Sequence, residues 1–206
     1  MHTPIRLEHS TILVERPFTD PQHSREDMAR LQGVLEKLRL ALTSAPARSD
    51  PPGMHIEWQG AGESKCRIVI TNAERLRTPT DLSIVGFFGQ KRADTEVVAA
   101  IEDADVTLIR EFVRYPGVLS YCSQHLEAGD WGNLVVLGSS EASEHWGASE
   151  RHVTVARDLA PRYYRTLRLH NAVLPGGVFS GQAWILQRTK YYDFQEQPLW
   201  HAIREF

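Results

Sequence analysis

The side chains best suited to moving protons lie between positions 145 and 170. His152 and His170 carry imidazoles, which change charge near neutral pH and can act as bases or ligands. Tyr164 with Arg168 could position an anionic or phenolic substrate and stabilise an oxyanion that develops during a reaction. The same two residues could instead cover a dimer interface, where tyrosine and arginine are enriched, and we favour that second interpretation.

Trp146 precedes His152 by six residues in the same predicted helical stretch. Six residues turn an α-helix through about 240°, so the two side chains share a site only if the helix breaks between them. Gly147 could supply that break. Trp146 would then shield a reacting ring from water. The alternative is an ordinary core tryptophan on the inner face of the helix, and we favour it.

His170 precedes Pro175-Gly-Gly, where the pattern predicts that a helix ends. A protonated histidine at that position is stabilised by the helix dipole. A capping role therefore competes with a role as a base or ligand that faces a cavity. We favour the cap.

Four segments beyond residue 80 have the composition of strands. The first is an almost continuous apolar run, as expected for a strand covered on both faces. The second and third are joined by a predicted turn at Gly129-Asp130. The predicted strands are Leu82–Gln90, Val118–Leu126, Asn133–Leu137 and Ala183–Phe194.

Two helices are predicted between these strands. Apolar residues recur at helical spacing over residues 97–113, after a cap at Asp94 or Thr95. A serine caps the second helix, within residues 139–169, and Pro161 either breaks it or opens a continuation to its end. The resulting order, β-α-β-β-α-β, is that of the ferredoxin-like split unit, so an α+β fold is predicted for this module, residues 80–206.

Residues 1–76 are predicted to form a shorter β-α-β-β extension. Spacing of three and four residues between apolar positions predicts an amphipathic helix over residues 24–43. The predicted strands are Ser10–Arg16, His55–Gln59 and Cys66–Thr71, the last two joined by a turn at Gly60-Ala-Gly62. Residues 73–80 are polar and contain a proline, which marks the boundary. The extension is expected to pack on the larger module or to extend its sheet.

One stretch of the larger module resembles a known superfamily. It comprises Tyr115-Pro-Gly-Val-Leu-Ser-Tyr, a hairpin, and a strand from Asn133 that ends in a serine-rich turn. The following helix carries Trp146 and, three residues later, Ser149. This pattern is similar to the antibiotic-biosynthesis-monooxygenase-like superfamily of dimeric α/β barrels. The resemblance, over residues 80–195, implies a homodimer in which two sheets pair, with an apolar cavity in each protomer.

The resemblance also implies a function. Members include oxygenases that act on small aromatic compounds without a cofactor, so our leading hypothesis is a monooxygenase-like enzyme for a small aromatic or quinone-like ligand. Trp146 would exclude water, while His152 and Tyr164 would manage protons. Arg168 and Phe88 would bind the substrate. No metal is expected.

Two alternatives stay open: a haem- or tetrapyrrole-binding protein, and a non-catalytic stress-response or interaction protein of the same fold. Haem-degrading relatives place an axial histidine about ten residues after the helix tryptophan, but Ala156 stands there and cannot bind iron. The histidines that remain as haem ligands are His145, His152 and His170.

Composition sets the remaining expectations for this chain of 206 residues. A net charge of −3 gives no electrostatic basis for binding nucleic acid or an anionic membrane. Cys66 and Cys122 are expected to be reduced, partly buried thiols. The first residues lack the apolar core of a secretory signal, and no apolar run approaches the roughly 20 residues needed to span a bilayer. We therefore expect a soluble, cytoplasmic protein.

Overall fold

The computed structural model describes residues 3–44, 55–59, 66–93, 96–126 and 130–206, which form an α+β fold. Its strands are β1 (Ile5–Leu7), β2 (His55–Gln59), β3 (Cys66–Ile70), β4 (Leu82–Lys91), β5 (Val118–His125), β6 (Trp131–Leu137), β7 (Tyr164–Leu174), β8 (Ile185–Asp193) and β9 (Trp200–Glu205). Its helices are α1 (Pro21–Ser44), α2 (Ala73–Arg77), α3 (Val98–Glu111), α4 (Ser140–Gly147), α5 (Glu150–Thr154) and α6 (Ala160–Tyr163). A π-helical turn, Val155–Leu159, joins α5 to α6.

In the described residues the nine strands form one sheet with the order β1-β9-β8-β7-β4-β6-β5-β3-β2. Neighbouring strands are antiparallel except β1 and β9, which are parallel. The four middle strands, β7-β4-β6-β5, have the order of the predicted split unit. The sheet is larger than that unit, because β3 and β2 extend one end and β8, β9 and β1 the other.

The last strand of the split unit is not where the sequence predicted it. Residues 164–169 do not continue a helix, because the helix ends at Tyr163 and β7 begins at Tyr164. From His170 onward, β7 alternates buried and half-buried side chains, the period of a strand. The predicted strand Ala183–Phe194 exists as β8, but it pairs beside β7 as an added fifth strand.

The predicted strand Ser10–Arg16 is also wrong, because the first strand is Ile5–Leu7. Carbonyl groups of the segment after β1 accept hydrogen bonds from the fully buried guanidinium of Arg204 instead of from a neighbouring strand. That side chain donates to the carbonyl oxygens of Glu8, Thr11 and Thr19. The predicted turns at 60–62 and 129 and the caps at 94 and 95 lie outside the described residues.

Helix α1 covers one face of the sheet, and α3 and α4 cover the other. The α1 side is the larger core, in which Leu31, Leu35, Leu38 and Leu42 pack on side chains from five strands and are at most 1% exposed. A Cβ atom at Gly86 of β4 would collide with the Leu31 side chain, so a larger residue there would require that leucine to move. Cys66 and Cys122 are free thiols buried in this layer, as predicted.

The position of α1 removes one argument for pairing two chains. A lone four-stranded split unit leaves the sheet face opposite its helices bare, which is why a homodimer was expected. Here α1 of the same chain covers that face. The opposite face carries a smaller core of Val69, Val85 and Val135 beneath Phe112 and Trp146.

We expect α1 to contribute to stability through its sheet-facing side only. Leu35→Ala removes a side chain that is 0% exposed and should lower the free energy of unfolding by about 2–5 kcal/mol. Leu40→Ala, on the same helix but 62% exposed, should change it by less than about 0.5 kcal/mol. Urea unfolding measures both. Similar losses in the two variants would contradict the assignment of α1 to the core.

Candidate functional site

The sequence-predicted site residues fall on opposite faces of the sheet. Arg168, His170 and Phe88 lie on the α1 side, where Phe88 belongs to the large core and His170 contacts α1. Trp146 and His152 lie on the side of α3 and α4. The structure therefore does not unite the seven predicted residues in one site.

On the α1 side, His170 joins a hydrogen-bonded group that we call the Asp27 cluster: Asp27, Arg168, His170 and Thr189. Its Nε2 atom lies 3.0 Å from Asp27 Oδ2, and its Nδ1 atom lies 2.8 Å from Thr189 Oγ1. Arg168 donates to the same carboxylate from Nε at 2.5 Å and from Nη2 at 2.9 Å. The prediction of His170 as a helix cap is wrong, since it is fully buried in the middle of β7.

Burial sets the protonation of this cluster. Burial disfavours ionisation of Asp27, but hydrogen bonds from His170 and Arg168 outweigh it, so the pKa of the carboxyl is lowered. Burial lowers the pKa of His170, against the opposing influence of Asp27. At neutral pH the neutral imidazole therefore donates from Nε2 to Asp27, and Nδ1 accepts from the Thr189 hydroxyl.

Carboxylate, imidazole and hydroxyl thus stand in the order of a nucleophilic triad. Asp27, His170 and Thr189 are each 0% exposed, however, so no substrate reaches the hydroxyl in this structure. Both ring nitrogens of His170 are engaged, and a haem iron would have to displace one of these bonds. The cluster joins α1 to β7 and β8. We interpret it as structural.

On the opposite side, the break that a shared Trp146–His152 site requires is present. Helix α4 ends at Gly147, and Ser149 caps α5 by accepting a hydrogen bond from the His152 amide at 3.3 Å. The turn between the helices brings the His152 ring to 4.7 Å from the indole of Trp146, which is 8% exposed. These two side chains therefore meet despite their helical spacing.

His152 has the electrostatics of a base. Burial lowers its pKa, opposed by a hydrogen bond to the backbone of Gly147. The imidazole is therefore neutral at pH 7, and because one ring nitrogen donates to that carbonyl, the other carries a lone pair. By contrast, His145 is exposed and rests against Tyr115, with ring centroids 5.5 Å apart.

Tyr164 lies at the start of β7, away from the Trp146–His152 pair. Its ring packs edge-on against Phe87 at 5.2 Å, and burial raises the pKa of its hydroxyl. A tyrosine whose pKa is raised remains a neutral hydroxyl at pH 7. It could donate a hydrogen bond but would not serve as a base.

Sequence reasoning missed a polar group on the helix side: Arg67, Asp105 and Tyr121. Arg67 Nη2 donates to Asp105 Oδ2 at 2.6 Å, and the Tyr121 hydroxyl donates to Asp105 Oδ1 at 3.1 Å. A series of aromatic side chains connects this group to His152. The ring centroids of Tyr121 and Phe112 are 5.4 Å apart, and those of Phe112 and Trp146, which contacts His152, are 5.8 Å apart. The available signal was a charged residue inside the apolar strand β3.

Two buried atoms on this side lack hydrogen-bond partners among the described residues, Arg67 Nε and Asn133 Oδ1. Each atom left in this state costs about 1–3 kcal/mol of stability. In native proteins such groups are accounted for by strain, by a catalytic role, or by a water molecule or ion that bonds them. Strand register places both atoms on the helix side of the sheet.

The helices on this side also pack loosely. Ile109 is the buried residue of α3, and neither α5 nor the π-helical turn buries a residue, whereas α1 buries nine. Phe87, Leu169 and Asn133, on the sheet beneath, are half-buried. The helix side is therefore less completely buried than the α1 side.

Comparison of the chain with family models, curated proteins and solved structures finds no match in any of the three. Within the described ranges, no helix has both the length and the apolar character that crossing a membrane demands. Nor do three histidine, cysteine or acidic side chains in those ranges converge as metal ligands would.

His170 should make stability depend on pH in a defined direction. Because its pKa is lowered on folding, the unfolded chain binds the extra proton first, and stability is lost as pH falls below about 6.5. Urea unfolding at pH 7.5 and 5.5 should show this loss, with His170 contributing up to about 1.4 kcal/mol. His170→Gln, which cannot titrate, should lose less between the two pH values.

His145→Gln is the matched control, since His145 is exposed. It should retain the full pH dependence of the wild-type chain. An unchanged pH dependence in His170→Gln would show that the buried imidazole is not the neutral group described above.

Proposed function

We propose that the chain binds a small, flat aromatic compound between the sheet and helices α3 to α5 and oxidises it with dioxygen. The observation that carries the proposal is the neutral imidazole of His152 held against the indole of Trp146. A base beside an apolar aromatic wall suits a substrate that must lose a proton from a ring while water is kept away.

The proposed reaction uses the substrate itself as the reductant. His152 removes a proton from an acidic C–H group of the aromatic compound, and the resulting carbanion reduces dioxygen. One oxygen atom becomes a new carbonyl on the ring. The other leaves as water with the two hydrogens of the former CH2 group, so that atoms and electrons balance.

Aromatic side chains support the binding of a flat ring. Trp146, Phe112 and Tyr121 form a continuous series at the helix side, and edge-to-face contacts with such rings favour aromatic ligands. Phe87 and Leu169, which are half-buried on the sheet beneath these helices, are the side chains that an entering ligand would meet. An apolar site with a few polar groups is typical of proteins that bind small molecules.

The homodimer expected from the resemblance takes a modified form in this proposal. Face-to-face pairing of two sheets would have to displace α1 and break the Asp27 cluster. We propose that α1 takes the place of a second sheet and that one chain holds a complete site. The haem alternative would have to use His152, since His170 is engaged at both nitrogens and His145 is exposed.

Oxygen consumption tests the proposed function. The wild-type chain, incubated with anthrone and related aromatic compounds that carry an acidic ring CH2 group, should consume dioxygen with at least one of them and yield the corresponding quinone. His152→Gln should lower kcat by about 10²–10⁴-fold, the usual contribution of a general base. Trp146→Phe should lower it less, because an aromatic wall remains.

His145→Gln serves as the control and should leave the rate unchanged, since this neighbouring histidine is exposed. Equal rates for wild type and His152→Gln would contradict the role of His152. If none of the compounds binds, as followed by tryptophan fluorescence, the proposed function is wrong and a non-catalytic protein becomes the better interpretation.

A further inference from the structure

We propose that Arg67 and Asn133 recognise the bound compound through two different groups, a carbonyl and a hydroxyl carried by the same flat ring system. The inference rests on the proposed function and names its substrate class, neutral hydroxyaryl carbonyl compounds. It follows from strand register, unpartnered polar atoms and local charge.

Strand register brings the two residues onto one row of the sheet. Arg67 of β3 pairs with Ser123 of β5, and Ser123 pairs with Asn133 of β6. Asn133 in turn pairs with Phe87 of β4. Side chains alternate along strands, so residues paired in this way lie on the same face. Arg67 binds Asp105 of α3, which identifies that face as the helix side.

The neighbouring row shows that the polarity is confined to one place. The next row on the same face, two residues away along each strand, consists of Val69, Tyr121, Val135 and Val85. Their valines pack in the core beneath α3 and α4. Three adjacent polar side chains in the first row therefore interrupt an otherwise apolar surface.

Arg67 supplies a hydrogen-bond donor. Its Nη2 atom is used by Asp105, but its Nε atom is buried and has no partner among the described residues. The Cζ atom of its guanidinium lies 5.8 Å from the ring centroid of Trp58 and 5.9 Å from that of Tyr121. The unpartnered Nε–H suits an acceptor such as a carbonyl oxygen.

Asn133 supplies the complementary acceptor. Its Oδ1 atom is buried and unpartnered within the described part of the chain. An amide oxygen accepts hydrogen bonds and does not donate them, so the group that satisfies it must carry an N–H or O–H. A ligand hydroxyl meets that requirement.

The distance between Arg67 and Asn133, and the charge near Arg67, restrict the ligand further. Arg67 and Asn133 are two strands apart, about 10 Å between Cα atoms, with the small Ser123 side chain between them. Ser123 is 4% exposed, so a flat ring that spans both ends must displace the groups that cover this position. Asp105 already neutralises Arg67, so a neutral carbonyl compound is favoured over a carboxylate or phosphate.

Four bicyclic probes separate these contributions in a binding titration. They are 6-hydroxy-1-tetralone, 1-tetralone, 2-naphthol and naphthalene, which carry both groups, the carbonyl only, the hydroxyl only and neither. Each hydrogen bond should contribute about tenfold in affinity. The hydroxyketone should therefore bind most tightly, and 2-naphthoate, an anion of similar size, should bind no better than naphthalene.

Two variants assign each group to its residue. Asn133→Leu should weaken the hydroxyl-bearing probes about tenfold and leave 1-tetralone unchanged. Arg67→Lys keeps the charge beside Asp105 but removes the donor at Nε, so it should weaken only the carbonyl-bearing probes. Asn171→Leu is the control, because Asn171 bonds Arg188 on the exposed part of the same face.

Stability separates recognition from a structural role. Leucine removes an unpartnered polar atom, so Asn133→Leu should leave Tm unchanged or raised, whereas loss of a structural hydrogen bond would lower it. Equal affinity for all four probes, or equal weakening of all by Asn133→Leu, would overturn this assignment while leaving the proposed function intact. Failure of every probe to bind would overturn both.

Discussion

The buried carboxylate of Asp27 is the constraint on which the rest of the structure depends. It is carried by α1, is 0% exposed, and is satisfied by Arg168 and His170 of β7. A buried charge that loses its partners costs about 3–5 kcal/mol, so α1 can lie on the sheet only where those two side chains meet it. The polar cluster thus determines the position of the helix, and the leucines of α1 supply most of the burial around it.

Fixing α1 divides the sheet into two unlike faces. The α1 face is tightly packed, and the members of the Asp27 cluster bond one another. The other face carries short helices that bury few residues, a base beside an indole, and polar atoms without partners. Stability and ligand binding can therefore reside on different faces. This arrangement lets the helix side keep unsatisfied groups that would be too costly throughout the core.

Much of the middle of the fold could be predicted, because its signals are local. The strands β4, β5 and β6 are apolar runs bounded by turns, and the contact of Trp146 with His152 follows from the break at Gly147. Strand β7 could not be predicted, since its buried positions include Thr166 and His170 and so lack an apolar pattern. The partners that make those positions tolerable lie far away in sequence. Arg67 and Asn133 were not predicted as site residues for the same reason, because only strand register brings them together.

Nitrogen-15 NMR of the histidine rings, during titration with 2-naphthol, tests the division of the two faces most directly. Both His152 and His170 should give signals of neutral imidazoles at pH 7, since burial lowers the pKa of each. Addition of the ligand should shift the signal of His152 and leave that of His170 unchanged. A shift of His170, with His152 unaffected, would place the ligand on the α1 face and contradict the account.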